Sequence, residues 1–390
     1  MSKIITSPGD LSDTIAAKPH YHLLDGLRGV AALIVIIYHV FEGFATNASD
    51  QHLNHGYLAV DFFFILSGFV IGYAYDDRWN GMTLRGFFRR RLIRLHPMVV
   101  IGAVLGAVTF LIQGSVKWDG SSVPMSAVLC ALLASACLIP VMPGSIAEVR
   151  GNGELSPLNG PTWSLFFECI GNILYAIFLR RFSTMALAVF VFMAGILMGI
   201  VSFTDLCGSG NMGVGWTMAN HNLIGGFLRM SFSFSLGLLL ARIYRPGMKV
   251  KGAFWWCSLA LVALLPVPYL GTLDSHVMNS VYELVCIMVI FPVIVCVAAG
   301  GDTAGQHSRR ICRFLGDISY PVYAIHYPVM YLFYAWLWDN ALSFSDAWPV
   351  ALAVVAGNIV LAYLCIRYYD APVRRWLADR WRSRKISVVD

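Results

Sequence analysis

The sequence predicts an all-α polytopic membrane protein, a bundle of about ten transmembrane helices with one additional re-entrant or interfacial segment. Of its 390 residues, 58% are hydrophobic and only 13% are charged, which would be unusual for soluble domains. Stretches of about 20 mainly apolar residues, the length that crosses a hydrocarbon core of roughly 30 Å, recur along nearly the whole chain. We therefore expect no separate soluble domain.

Composition and charge also argue against several other classes. The first apolar run begins at Val30 and is not followed by an Ala-x-Ala-type cleavage site, so we expect a retained span. The nine cysteines include no Cys-x-x-Cys pair, which argues against a disulfide framework or a zinc site, and we expect no metal. Because the net charge of +6 comes from basic residues in short loops, we expect no nucleic-acid partner.

Eleven apolar segments emerge from windows of about 19 residues. They are residues 27–46, 57–75, 97–114, 124–142, 161–179, 184–204, 222–243, 253–271, 278–299, 315–338 and 346–368.

The distribution of Lys and Arg orients these segments. The loop 76–96 carries six arginines, whereas the connection 47–56 has no Lys or Arg. The first is therefore cytoplasmic, and the N-terminus lies inside. The tail 374–390 is also basic, so both termini should be cytoplasmic and the number of crossings even.

An even number of crossings requires that one of the eleven segments does not cross. The charge pattern of the loops indicates that the segment that does not cross is 97–114 or 124–142. We expect it to be 124–142, which ends in Pro140 and Pro143 and would lie in the interface or re-enter from outside. Ten crossings remain.

The first span carries ionisable residues on one face. Its sequence LDGLRGVAALIVIIYHV contains Asp25, Arg28 and His39. Arg28 and His39 would lie about 20° from alignment and about 16 Å apart along a helix. An ionisable residue near the bilayer centre costs about 2.5–3.5 kcal/mol, so each needs a partner or a function. The alternative is a snorkelling arginine and a histidine that a neighbouring helix satisfies.

The second span, GYLAVDFFFILSGFVIGY, contains one carboxylate and a pair of glycines. Asp61 could hold a basic partner such as His39, or shape the acceptor side of a site. Gly68 and Gly72 are expected to allow close helix packing.

The segment FFRRRLIRLHP at 87–97 is open to two interpretations. An arginine cluster beside aromatic residues could bind anionic lipid. Taken alone, the segment favours lipid binding. It could also hold phosphate, because guanidinium groups match phosphate oxygens bidentately and Arg91 and Arg94 lie one helical turn apart.

Two later spans carry polar stripes. In PTWSLFFECIGNILY, the residues Ser164, Glu168, Asn172 and Tyr175 follow one another at steps of four, four and three, which places them on one helix face. In the tenth span Ser319, Tyr323 and His326 share a face in the same way. A whole stripe favours function over packing.

With these segments assembled, the chain resembles acyltransferase family 3, the membrane O-acyltransferases of the bacterial O-antigen and exopolysaccharide acetylase type. The resemblance spans about residues 20–375. It rests on five strings in the family's order: DGLRGVAALIVIIYH, VDFFFILSGF, RRRLIRLHP, TWSLFFE and ISYPVYAIHYP. After Glu168 the chain departs from the family's usual residues, which puts the acceptor in doubt more than the reaction.

The resemblance implies a ten-span transmembrane acyltransferase domain, here 25–373, between a cytoplasmic N-terminal segment, 1–24, and a basic cytoplasmic tail, 374–390. It implies a bacterial cytoplasmic (inner) membrane protein that moves an acyl group from cytoplasmic acyl-coenzyme A, most simply acetyl-coenzyme A, to a glycan or lipid-linked sugar. Membrane lipids are its other expected partners.

The resemblance also assigns residues. It implies that His39 and Glu168 are catalytic and that Arg28, Arg91 and Arg94 bind the donor. The supporting or substrate-binding candidates are Asp61, Ser164, Asn172, Tyr323 and His326.

Acyl transfer to a hydroxyl needs a base, and we expect His39 to serve because imidazole titrates near working pH. Glu168 would orient His39 or hold the acceptor, and equal depths in the bilayer predict that both side chains face one cavity. Direct transfer and an acyl-enzyme both remain open. The rival classes are a secondary transporter of a small anionic solute and a structural membrane protein.

Overall fold

The computed structural model describes residues 20–245, 250–272 and 275–386, with side chains as far as residue 381. Within these ranges the chain is all-helical, and its only β-type pairing consists of three isolated bridges. The predicted all-α polytopic class is confirmed. The first 19 residues of the proposed N-terminal segment and the last four of the tail lie outside the described residues.

Thirteen α-helices are present in these ranges. They are α1 His22–Glu42, α2 Ala59–Tyr75, α3 Leu84–Ile112, α4 Met125–Ala136, α5 Thr162–Ile177, α6 Thr184–Thr204, α7 Asn222–Ile243, α8 Ala253–Leu264, α9 Val277–Val285, α10 Phe291–Gly300, α11 Gln306–Asp339, α12 Phe344–Cys365 and α13 Ala371–Ile386. A π-helical turn joins α9 to α10, and another joins α12 to α13.

Eight of the described helical segments are long and apolar enough to cross a membrane: α1, α2, α3, α5, α6, α7, the continuous α9–α10 and α12. Helix α11 has 34 residues, well above the length a span needs. Helices α4 and α8 have 12 residues each, or about 18 Å. Both are shorter than a span needs, although the sequence predicts that 253–271 crosses and that 124–142 does not, so the total of ten crossings stays a prediction.

Glycines bring two helix pairs into close contact at the centre of the bundle. On α1, a Cβ added to Gly29 would lie 2.2 Å from the Leu315 carbonyl oxygen of α11. On α2, a Cβ on Gly68 would lie 1.9 Å from the Phe234 carbonyl oxygen of α7. Small residues allow such backbone approach in membrane helices. The packing role expected for Gly68 is confirmed.

A proline in α11 determines how the loop before α5 attaches. Pro328 has no N–H and leaves the Ala324 carbonyl without its helical donor. The buried Asn159 side chain donates to that carbonyl at 2.7 Å. The loop is thereby fixed against the middle of α11.

The loops at one end of the bundle form a folded cap. The Leu155 amide donates to the Trp216 carbonyl at 2.8 Å, and the Trp118 amide donates to the Arg150 carbonyl at 3.1 Å. These bonds join the α3–α4, α4–α5 and α6–α7 connections. The cap covers the end at which α1 finishes.

Candidate active site

Two cavities lie along the bundle, one towards each end of α1. The larger has a volume of about 480 Å³ and lies where α1 begins. The smaller has a volume of about 270 Å³ and lies where α1 ends, beneath the loop cap. We call them the arginine cavity and the aromatic cavity after their linings.

The arginine cavity is rich in cations. Its carboxylates are Asp25, Glu168 and Asp317. Its arginines outnumber them and come from α1, α3, α11 and α13: Arg28, Arg91, Arg94, Arg313 and Arg374. All three arginines predicted to bind the donor therefore line one cavity. An excess of guanidinium groups suits an anionic ligand.

Arg91 and Glu168 form an ion pair inside this cavity. The Arg91 Nη2 lies 2.8 Å from Glu168 Oε1, and the Arg91 side chain is 9% exposed. Ser67 Oγ donates to the same carboxylate oxygen at 2.8 Å. Removal of either side chain would leave the charge of the other without its partner in a largely buried position.

Arg28 lines the arginine cavity near the start of α1. Its Nε donates to Ser319 Oγ at 2.8 Å, and its Nη2 lies 3.2 Å from Asp25 Oδ1. Ser319 is on α11, so the polar faces predicted for the first and tenth spans do meet.

Tyrosine and tryptophan dominate the aromatic cavity. Among the described residues, its lining has two carboxylates, Glu42 and Glu154, one histidine, His39, and one arginine, Arg229. Its ten aromatic side chains are Tyr38, Tyr57, Trp118, Trp163, Trp216, Tyr323, Tyr327, Tyr331, Tyr334 and Trp338.

His39 and Glu42 form a hydrogen-bonded pair in the aromatic cavity. The His39 Nδ1 lies 2.7 Å from Glu42 Oε2, and Tyr334 donates to the same oxygen at 3.0 Å. If Nδ1 carries the proton, Nε2 is left to accept one. A histidine oriented by a carboxylate is the arrangement that general bases use.

Glu154 is a second carboxylate of the aromatic cavity and belongs to the loop cap. It accepts hydrogen bonds from the Tyr331 hydroxyl and from Asn152 Nδ2, the latter at 2.8 Å. Burial raises the pKa of the Glu154 carboxyl, while these two hydrogen bonds and the nearby Arg150 act in the opposite direction.

A thin wall separates the two cavities. Val60 and Tyr323 line both of them. The Tyr323 hydroxyl lies 2.6 Å from Ser164 Oγ, and the Tyr323 ring meets Phe63 edge to face at 5.2 Å. Tyr323 and Ser164 are thus part of the boundary between the cavities.

The prediction that His39 and Glu168 face one cavity is wrong. His39 lines the aromatic cavity and Glu168 the arginine cavity. Equal depth along two helices does not fix the direction of their side chains. Here Glu168 points to Arg91, and His39 points to Glu42.

The suggested pairing of Asp61 with His39 is also wrong. Asp61 is fully buried against Arg229 of α7, which is equally buried, with Nη2 of the arginine 2.6 Å from Oδ2. Arg229 donates in addition to the carbonyls of Val214 and Tyr57. Asp61 lines neither cavity and holds Arg229 at the edge of the aromatic one.

The remaining predicted residues lie near the cavities without lining them. Asn172 donates to the Glu168 carbonyl at 2.6 Å, and Tyr175 donates to Asp76 at 2.9 Å. Only Ser164 and Glu168 of the α5 stripe reach the arginine cavity. His326 is fully buried, its ring centroid 5.4 Å from that of His39, and its Nε2 has no hydrogen-bond partner.

Sequence reasoning missed several functional candidates. Arg229 lies within the apolar segment 222–243, so the cost of intramembrane charge should have flagged it. Glu42 lies one turn after His39 and could have been found by the same helical spacing. Glu154 gave no signal, because its position depends on how the loop cap folds.

Among the described residues no group of three or more His, Cys, Asp or Glu side chains is placed to hold a metal ion.

The fold and the two cavities define a class, a helical membrane protein with an arginine-lined cavity and a histidine–carboxylate pair. The family model described as an acyltransferase domain matches residues 21–367. The chain belongs to this family, and the predicted class, a membrane-bound O-acyltransferase, is confirmed. The alternative of a secondary transporter loses its basis.

The chain is similar to several bacterial proteins, of which two described below are named as acyltransferases. The chain is 34% identical to protein 2 of the picA locus of Rhizobium radiobacter over 40% of this chain and 80% of that protein. It is 25% identical to a Staphylococcus aureus protein named as an O-acetyltransferase, over 93% of this chain but 59% of that protein. It is 26% identical to acyltransferase MdmB of Streptomyces mycarofaciens over 92% of each. No solved structure matches the chain.

Proposed function

We propose that this protein transfers an acyl group, most simply acetyl, from acyl-coenzyme A in the arginine cavity to a hydroxyl of a glycan or lipid-linked sugar in the aromatic cavity. One observation carries the proposal: two cavities of different chemistry share the wall formed by Val60 and Tyr323. Family membership supports the acyl transfer itself. The linings of the two cavities support the proposed donor and acceptor.

The arginine cavity suits coenzyme A. The phosphates of coenzyme A would meet the guanidinium groups, which bind phosphate oxygens in pairs. A volume of about 480 Å³ lies within the roughly 300–1,000 Å³ that is typical of small-molecule sites. The charged part of the ligand would stay on the side of the cavity where Arg313 is exposed.

The aromatic cavity suits a sugar. The C–H faces of a pyranose pack on aromatic rings, which bury large apolar area. The hydroxyls of a sugar would find acceptors in Glu42 and Glu154 and both donors and acceptors in the tyrosines.

The residues of the aromatic cavity account for the chemistry of transfer. The acceptor hydroxyl gives its proton to His39 Nε2, and its oxygen forms a bond to the thioester carbonyl carbon while the C–S bond breaks. The departing thiolate of coenzyme A takes up the proton. Glu42 holds the imidazole in the required tautomer and stabilises the imidazolium. The acyl end must pass the Val60–Tyr323 wall to reach this pair.

We further propose that the protein lies in the bacterial cytoplasmic membrane with both termini and the arginine cavity inside. The Lys and Arg distribution supports this orientation. Ser145 is exposed in the loop cap, whereas Ser156 is buried, so Ser145→Cys is the better reporter. A membrane-impermeant maleimide should label it in intact cells above the background of the parent protein. Labelling only after lysis would show that the loop cap lies inside and that the proposed orientation is wrong.

The decisive experiment uses the purified full chain in nanodiscs with acetyl-coenzyme A. Release of free thiol is measured with and without a panel of glycosides, and products are checked by mass spectrometry. We expect acceptor-dependent thiol release with an added acetyl mass on the glycoside. A folded protein that neither binds acetyl-coenzyme A nor releases thiol with any acceptor would overturn the proposal.

A further inference from the structure

The charges of the aromatic cavity differ in kind from those of the arginine cavity. The described residues that line it include two carboxylates, Glu42 and Glu154, and a single arginine, Arg229. Glu42 is engaged with His39, whereas Glu154 is held by neutral donors, Tyr331 and Asn152. Any ligand in this cavity therefore meets carboxylate oxygens.

Arg229 is not free to bind an anion. Its Nε and Nη2 donate to Asp61, its Nη1 donates to the Val214 carbonyl at 2.8 Å, and its Nη2 also donates to the Tyr57 carbonyl at 2.9 Å. Asp61 neutralises the charge at 2.6 Å, and both side chains are fully buried. All three nitrogens of the only arginine in the described lining are thus committed to the protein.

A second arginine near the cavity is also turned to the protein. Arg150 stacks 3.7 Å from the centre of the Tyr331 ring and donates to the Pro157 carbonyl at 3.1 Å. It is fully buried and does not line the cavity. A ligand in the cavity would therefore contact the Tyr331 ring and not the Arg150 guanidinium behind it.

The size of the cavity makes these charges decisive. About 270 Å³ is close to the lower limit of roughly 300 Å³ for small-molecule sites, so one sugar unit would fill it. An anionic substituent on that unit could not keep its water and would face carboxylates, while the arginine of the described lining is already paired with Asp61. Like charges brought together in a desolvated site are strongly unfavourable.

We infer that the aromatic cavity selects an uncharged sugar ring and rejects one that carries a carboxylate or phosphate, and that Glu154 is a specificity-determining residue in this rejection. The inference rests on the proposed function, since it names the acceptor class for the same site. An uncharged ring gains hydrogen bonds from its hydroxyls to the carboxylates, whereas an anionic ring meets repulsion, so the discrimination is built partly from a repulsive element.

The test compares matched acceptors in the thiol-release assay with the purified full chain. Methyl glucoside, galactoside and mannoside are each paired with the uronic acid of the same ring configuration. We expect a kcat/KM roughly tenfold or more higher for the neutral member of any pair that is used. Glu154→Gln should raise the uronate-to-neutral ratio roughly fivefold or more without changing the KM for acetyl-coenzyme A.

Asp119→Asn is the matched control, because Asp119 is an exposed carboxylate of the same loop cap outside the cavity. It should leave the ratio unchanged. Equal or better use of uronates by the unsubstituted protein would overturn the inference while leaving acyl transfer intact. If Glu154→Gln leaves the uronate-to-neutral ratio unchanged, Glu154 has no part in the rejection of anionic rings.

A second measurement needs no acceptor turnover. Trp216 lines the cavity and is 39% exposed, so Trp216→Cys can be labelled there with methanethiosulfonates that carry either a trimethylammonium or a sulfonate group. Relative to their rates with a free thiol, the cationic reagent should react roughly tenfold or more faster, and Glu154→Gln should reduce this preference. Equal rates for the two reagents would overturn the inference, whether or not any glycoside is acylated. Absence of acylation, by contrast, would count against the proposed function.

Discussion

Glu42, and not Glu168, is the carboxylate that contacts His39, with 2.7 Å between Oε2 and Nδ1. The two side chains lie one turn apart at the end of α1, in the aromatic cavity. Glu168 is on the other side of the Val60–Tyr323 wall, paired with Arg91. The proposed base and the proposed donor site are therefore held by separate carboxylates.

The first prediction concerns the His39–Glu42 pair. His39→Ala should lower kcat by about 100-fold or more, since it removes the proposed base. Glu42→Gln should lower kcat with little change in the KM for acyl-coenzyme A, because Glu42 orients His39 without touching the donor cavity. Steady-state kinetics at saturating acceptor measures both. A Glu42→Gln protein with normal kcat would show that the hydrogen bond has no role in transfer.

The second prediction concerns donor binding. Replacement of both Arg91 and Arg94 with Gln should weaken acyl-coenzyme A binding by about tenfold or more, because two guanidinium groups leave the cavity. Isothermal titration calorimetry would measure the affinity. The same double change at Arg85 and Arg90, on α3 but outside the cavity, is the matched control. Equal loss in both proteins would favour the lipid-binding interpretation of this segment.

A third prediction concerns the stability of the buried Asp61–Arg229 pair. Arg229→Leu leaves a buried carboxylate without its partner and should cost about 3–5 kcal/mol in the free energy of unfolding. Asp61→Leu combined with Arg229→Leu should be less destabilised than Arg229→Leu alone, because no lone charge remains. Thermal unfolding in detergent ranks the variants. If the double variant is the less stable, desolvation of a lone Asp61 is not the dominant cost.

The wall between the cavities supplies a fourth prediction. Val60→Trp would thicken the wall beside Tyr323 and should abolish transfer while acetyl-coenzyme A still binds in the arginine cavity. Val60→Ala, at the same position, should retain transfer. Parallel binding and turnover assays decide. Normal turnover by a folded Val60→Trp protein would mean that the acyl group takes another route.

The last prediction concerns pH. Burial raises the pKa of the Glu154 carboxyl above its ordinary value, so this group becomes neutral at a higher pH than a solvated glutamate. The groups that face it are Tyr331, Asn152, Arg150 and Glu42. Rejection of uronate acceptors should therefore be strongest at high pH and weaken as the pH falls. Selectivity ratios measured between about pH 8 and pH 5 should show this slope, and Glu154→Gln should flatten it.

The sequence alone determined the membrane class, the helical fold and the chain positions of most candidate residues. Apolar segment length and charge cost act locally, so they can be read without neighbours. The family resemblance carried over for the same reason, because its strings are short and contiguous. The resemblance grouped Arg28, Arg91 and Arg94, and all three line the arginine cavity.

Only the tertiary structure decided which side chains meet. The rotation of each helix about its own axis is set by packing against its neighbours, such as the Gly29–Leu315 and Gly68–Phe234 contacts. That rotation pairs His39 with Glu42, Glu168 with Arg91 and Asp61 with Arg229. Glu154 reached the aromatic cavity because hydrogen bonds between distant loops folded the cap, an arrangement that no local pattern encodes.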